Sequence, residues 1–128
     1  MILGIGADVV EVERVSRLLE RYGERFARRV LAPGEWEGYH ASPSRHIYLA
    51  SRFAVKEAFG KALGTGIRDP VLLTSIGITH DRLGRPSLWL APDLQALSDQ
   101  RGVTAHHVTL THERSIACAV VVLEAQSK

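Results

Sequence analysis

The chain has 128 residues, 45% of them hydrophobic and 23% charged, and its net charge is +2. These values predict one globular domain, residues 1–128, with enough length to bury a core, and a charge too small to argue for a nucleic-acid partner. The single cysteine, Cys118, excludes an internal disulfide framework and fits a reducing, cytoplasmic setting, and no apolar run approaches the roughly 20 residues of a membrane helix. The first residues carry neither a charged n-region nor a long apolar h-region, so no signal peptide is expected.

Met1 to Val10 predicts a buried strand, with Ile2, Gly4, Gly6 and Asp8 on one face and Leu3, Ile5, Ala7 and Val9 on the other. Two glycines beside an acid point to a close approach of backbone or ligand. Asp8 has two readings. It opens an Asp-Val-Val-Glu run with capping-box spacing, or it serves a site. Glu11 to about Tyr22 predicts an amphipathic helix with Val12, Val15, Leu18 and Leu19 as its apolar stripe. Arg14, Arg17 and Arg21 fall on its exposed face, and Arg25, Arg28 and Arg29 follow in a short second helix. Such a strip is either a solvated face balanced by nearby glutamates or a docking strip for an acidic partner.

Pro33-Gly34 predicts a turn into a short helix ending near Tyr39, and Ser44 stands where a helix N-cap would. The longest element is a helix from Arg45 past Lys61, stopped by Gly64-Thr-Gly66, with Ala50, Ala54, Ala58 and Ala62 as a line of small residues suited to lying close on a sheet. Phe53, Glu57 and Lys61 share a stripe, with Arg52 and Lys56 beside it. Glu57 and Lys61 read either as a solvated i,i+4 pair or, with Arg45, Arg52 and Lys56 near, as part of a metal-plus-phosphate site.

Ser75–Thr79 and Ser87–Leu90 predict a hairpin turning through Asp81–Pro86, and Pro92-Asp93 opens a helix, Leu94–Gln100, that stops at Gly102. His106–Thr111 and Ser115–Leu123 predict a final hairpin, its last strand apolar on both faces and therefore central or covered by another subunit. The six histidines have no zinc-site spacing. His112 has a surface or structural reading and, near the turn, a phosphate or base reading. Cys118, set among Ile, Ala and Val, reads as a buried structural thiol.

Gly4-Ile-Gly6-Ala-Asp8-Val-Val-Glu11 and Arg52-Phe53-Ala-Val-Lys56-Glu57-Ala58-Phe-Gly-Lys61-Ala-Leu-Gly64-Thr-Gly66 together resemble the holo-[acyl-carrier-protein] synthases, the small bacterial 4'-phosphopantetheinyl transferases. Ala27–Leu31 with Glu35-Trp36, Leu83–Pro86 and the final hairpin extend the resemblance over nearly the whole chain. It implies an α+β fold in which an antiparallel sheet packs against a long central helix. It implies transfer of 4'-phosphopantetheine from coenzyme A to a serine of apo acyl carrier protein, for fatty acid biosynthesis, with release of 3',5'-ADP. Asp8 and Glu57 then match magnesium ligands, and Lys61 and Gly64 match positions at the coenzyme A phosphates. Arg45 matches a basic residue near the 3'-phosphate, and His112 a histidine near the phosphates. Arg14, Arg17 and Arg21 match the carrier-docking helix. Glu57, directly or through a metal-bound water, is the expected acceptor of the serine proton. A cytoplasmic homotrimer with shared sites is implied, with no role for nucleic acid or membrane. Two readings compete. One is a transferase for carrier domains of polyketide or peptide synthases, whose broader-specificity enzymes are longer pseudo-dimers. The other is a non-catalytic binder of acidic proteins.

Overall fold

The computed structural model describes residues 1–126. The elements run β1 (Ile2–Glu11), α1 (Val12–Tyr22), α2 (Glu24–Val30), a 3-10 turn at Pro33–Glu35, α3 (Trp36–Ala41), α4 (Arg45–Leu63), a 3-10 turn at Leu73–Ser75, β2 (Ile76–His80), β3 (Pro86–Leu90), α5 (Pro92–Gln100), β4 (Ala105–His112) and β5 (Ile116–Glu124). The expected α+β architecture is borne out. Strands β1, β5 and β4 make an antiparallel sheet in that order, α4 packs on one of its faces, and β2 and β3 pair separately.

The helix α4 is buried nearly all round because its sequence offers small or apolar residues on most sides. Ala50, Ala54, Ala58 and Ala62 are buried against the sheet, while Leu49, Val55, Phe59 and Leu63 fill the core on the other flanks. Fully burying one of the large ones stabilises the fold by about 1.5–3 kcal/mol. The two β1 glycines have a direct reason. A Cβ on Gly4 would lie 1.9 Å from the Ala62 carbonyl oxygen, and one on Gly6 would lie 2.1 Å from that of Ala58. Strand and helix therefore touch backbone to backbone. Gly64, at φ 86°, ends α4 in the left-handed region, and Arg101 donates to the Leu63 carbonyl at 3.0 Å.

Register fixes the faces. Gly4, Gly6, Asp8 and Val10 oppose Leu123, Val121, Ala119 and Ala117 of β5 and look toward α4. The strand is not buried as the sequence implied. It forms an edge, and Leu3, Ile5 and Val9 on its other face are exposed, at 43%, 65% and 63%. Apolar composition marked both faces, but α4 covers only one of them. Nor is Asp8 a helix cap, because strand pairing continues through Glu11 and α1 starts at Val12 without a side-chain cap. Ser44 occupies the N-cap position of α4 but makes no capping bond; its amide donates to the Ser42 hydroxyl instead, at 3.2 Å. β5 is central, as its two apolar faces implied.

Candidate active site

Because Asp8 shares its strand face with Gly6, the glycine contact that seats β1 on α4 also sets its carboxylate against the helix. Lys61, projecting from α4, donates from Nζ to Asp8 Oδ1 at 3.1 Å and to the Ala7 carbonyl at 3.1 Å. Glu57, one turn earlier, lines the same cleft as Asp8, a space of about 360 Å³ that also takes in Val10, Arg14 and Phe53. Burial, and then the Asp8 charge, push the Glu57 carboxyl above its ordinary range, while Lys61 pulls it down. Among the described residues no ion pair joins Glu57 to Lys61, so the expected i,i+4 pair gives way to a contact between elements. Lys61 spans to Asp8 because β1 lies closer than a side chain's width.

Two carboxylates facing one cleft, their repulsion only partly offset by Lys61, form a hard-cation donor set. Among the described residues there is no group of three or more His, Cys, Asp or Glu able to hold a metal, so a cation here would take its other ligands from water and substrate oxygens. Magnesium binds in that way.

Three of the cations expected around Glu57 lie elsewhere. Lys56 is fully buried on another side of α4 and meets Glu35 at 2.5 Å and the Val30 carbonyl. Burial lowers its pKa to about 8, against the pull of Glu35. Arg52 stacks on the Tyr48 ring, 3.7 Å from its centroid, and stands 4.0 Å from Glu35. Arg45 lies over Tyr39 at the start of α4 and donates to the His40 carbonyl at 3.3 Å. That is about 18 Å along the axis from Glu57 at the helical rise per residue. One helix cannot aim neighbouring residues at one point, since each step turns about 100°.

His112 lines a second cleft, of about 520 Å³, between the first turns of α4 and strand β4, together with Ser44, Tyr48, Ser51, Arg52 and His80. The Asp8 cleft lies on the β1 side of α4, and this one on the β4 side. Gly64 caps α4 one turn beyond Lys61. Sequence reading did not assign Arg52, Tyr48 or Ser44 to a site with His112, and it missed Glu35. The available signal was spacing. Lys56 falls at the helical positions of Leu49, Phe59 and Leu63, a buried face, so a buried acid had to exist to meet it.

Arg14, Arg17 and Arg21 are exposed on α1, as expected. Arg14 stands at the rim of the Asp8 cleft, whereas Arg17 is engaged by Glu13 at 3.2 Å. Beyond the rim an apolar groove of about 480 Å³ runs between Leu18, Phe26, Val30 and Phe53, with Arg25 and Arg29 at its edge.

The profile of the 4'-phosphopantetheinyl transferase superfamily matches residues 4–121. A holo-[acyl-carrier-protein] synthase of Nitrosospira multiformis is 53% identical over 97% of this chain and 99% of its own. The crystal structure of the Neisseria meningitidis holo-[acyl-carrier-protein] synthase superposes with a TM-score of 0.93 at 41% identity, covering 97% of this chain and 99% of that one. A Bacillus anthracis holo-(acyl-carrier-protein) synthase, solved in complex with CoA (3',5'-ADP), gives 0.81 at 31% identity over 98% of this chain and 99% of its own.

Proposed function

The chain belongs to the 4'-phosphopantetheinyl transferase superfamily, and within it to the holo-[acyl-carrier-protein] synthases, and on that premise we propose how its residues carry the reaction. The chain transfers 4'-phosphopantetheine from coenzyme A to a serine of apo acyl carrier protein and releases 3',5'-ADP. The observation that carries the assignment of residues is the meeting of Asp8 and Glu57 at one cleft across β1 and α4, with Lys61 bonded to Asp8 beside it.

The serine oxygen attacks the β-phosphorus of the coenzyme A pyrophosphate. The bond from that phosphorus to the bridging oxygen breaks, and 3',5'-ADP leaves with that oxygen. Phosphoryl transfer of this kind depends mainly on positioning and charge. Asp8 and Glu57 would hold a magnesium ion, which when bound neutralises charge on the pyrophosphate and the leaving group. Lys61 places a half-exposed ammonium against the same oxygens. Glu57 accepts the serine proton directly or through a water, a role helped by a carboxyl already pushed up by burial. Gly64 leaves the chain slim where it passes the phosphates after Lys61.

The nucleotide half takes the cleft on the β4 side, lined by His112 and the Arg52 guanidinium, and Arg45 stands at the same end of α4. The pyrophosphate and the 3'-phosphate of one coenzyme A are held on a single ribose, whereas the two clefts flank α4 on opposite sides. One molecule therefore engages the Asp8 cleft of one copy and the His112 cleft of another. The open apolar face of the sheet, with Leu3, Ile5, Val9 and the half-buried Val120 and Val122, is available for that contact. The family resemblance favours three copies. The carrier docks along Arg14 and Arg21 with Arg17 beside them, its acidic surface on the guanidinium groups and its apolar residues in the groove at Phe26 and Phe53. Residues 1–128 then act as one domain, in the cytoplasm, in the service of fatty acid biosynthesis, without nucleic acid or membrane. No helix among the described residues is long and apolar enough to cross a bilayer.

The test is intact-mass spectrometry of apo acyl carrier protein incubated with the chain, coenzyme A and magnesium. A gain of one phosphopantetheine, lost on adding EDTA, is expected. An unchanged mass with a competent carrier would overturn the proposal. Mixing two inactive variants, Asp8→Ala and His112→Ala, should restore part of the activity, because a mixed assembly contains some intact shared sites. No recovery would refute sharing.

A further inference from the structure

Glu35 is only 2% exposed, and three parts of the fold converge on it. Its Oε1 accepts from the Ala32 amide at 2.9 Å and from Lys56 Nζ at 2.5 Å. Its Oε2 accepts from the Ile78 amide of β2 at 3.2 Å and faces Arg52 Nε at 4.0 Å. Its backbone carbonyl accepts from the Tyr48 hydroxyl at 2.8 Å. Tyr48 in turn is the platform beneath the Arg52 guanidinium. Arg52 is thus set by Glu35 twice, from behind through the carboxylate and from below through the carbonyl and the Tyr48 ring.

Arg52 itself is little exposed, its side chain at 14%, and its Nε is buried without a hydrogen-bond partner. A guanidinium that is little exposed and stacked on Tyr48, lining a cleft with Ser44, Ser51, His80 and His112, suits a phosphate better than a freely rotating one would. Ordering has already happened in the fold and need not be repeated on binding.

We propose that Glu35 is a positioning residue that aims Arg52 into the β4-side cleft, where Arg52 selects coenzyme A by its 3'-phosphate. This inference rests on the reading that the cleft takes the nucleotide half of the substrate. It concerns a carboxylate on a different side of α4 from Asp8 and Glu57, one that never meets the reacting atoms.

The experiment compares kcat/KM for coenzyme A and for 3'-dephospho-coenzyme A in the wild type, in Glu35→Gln and in Tyr48→Phe. Gln keeps the volume but puts an amide where Oε2 accepts, which frees Arg52. Tyr48→Phe keeps the ring and loses only the hydroxyl that Glu35 holds, so it serves as the variant that folds if the first does not. The wild type is expected to prefer coenzyme A by at least about tenfold, as a charge-assisted pair warrants. Glu35→Gln should lose most of that preference through KM for coenzyme A, with kcat nearly unchanged and dephospho-coenzyme A turned over as before. Tyr48→Phe should lose part of it. A purely structural role would lower activity on both substrates alike. A preference that survives in the variants that fold overturns the role of Glu35. A wild type with no preference overturns the cleft assignment, and the inference with it.

Discussion

Lys61 leaves its helical neighbour Glu57 and crosses to Asp8 on β1, 3.1 Å from Nζ to Oδ1. A cation that could have solvated one helix face instead ties the strand acid Asp8 to α4, beside the cleft that Glu57 lines. The pair is half open, with Lys61 54% exposed and Asp8 16%, so its contribution to stability is small. Its value is the position of the charge.

Lys61→Met should therefore cost activity far more than stability. We expect kcat/KM to fall by about a hundredfold or more, the scale of losing a charged group that stabilises a transition state, with a melting temperature within a few degrees of wild type. Steady-state kinetics beside a thermal melt would check this. Equal losses in both would show that the lysine is structural.

The Glu57 carboxyl should titrate above the ordinary glutamate range in metal-free protein, because burial and the Asp8 charge both disfavour its ionised form. Asp8→Asn removes one of those causes and should lower the Glu57 pKa. Lys61→Met removes the opposing cation and should raise it further. Carbon-13 NMR of the carboxyl would read both directions, and movement in the opposite sense would refute the assigned causes.

Magnesium should raise the melting temperature of the wild type, since it relieves the repulsion between Asp8 and Glu57. At a hundredfold excess over Kd the gain is about 2.7 kcal/mol. Asp8→Ala and Glu57→Ala should each abolish the shift, and chelation should reverse it in the wild type. A shift that persists in both variants would place the ion elsewhere.

Gly6→Ala should be severely destabilising, by about 3 kcal/mol or more, because its Cβ would meet the Ala58 carbonyl at 2.1 Å and backbone cannot yield as a side chain does. Gly34→Ala is the control. No atom lies within 4 Å of its added Cβ, and its cost should stay near about 0.5 kcal/mol. Denaturant unfolding of the two variants would measure the contrast.

Charge reversal on α1 should act on the carrier and spare coenzyme A. Arg14→Glu and Arg21→Glu are expected to raise KM for the carrier by about tenfold each, with a weakened dependence on salt. Arg17→Glu should do less, since Glu13 already engages Arg17. A change in KM for coenzyme A instead would move the docking surface elsewhere.

Most of the element order was legible because periodicity and punctuation agreed. The alanine line and the Gly64 stop defined α4, and Pro92 with Gly102 framed α5. That Asp8, Glu57 and Lys61 would come together was legible through the two-part motif. The fate of the other cations was not. Arg52 and Lys56 follow from helix phase, but their partners Tyr48 and Glu35 depend on how the Pro33–Glu35 turn folds against α4, a long-range contact that no local pattern encodes. The exposed face of β1 was misjudged for a similar reason. Ile5 and Val9 are as apolar as any core residue, and composition cannot say which neighbour covers them.

The backbone-to-backbone contact of Gly4 and Gly6 with α4 has one more consequence. Glycine and alanine have no rotamers to rearrange, so the spacing between the strand acid and the helix acid does not depend on how any large side chain settles. Substitutions elsewhere in the core can reach the two acids only by displacing whole elements. On the proposed assignment of roles, the arginine-bearing α1 and α2 can then change to suit a new carrier protein while the spacing of Asp8 and Glu57 behind them stays fixed.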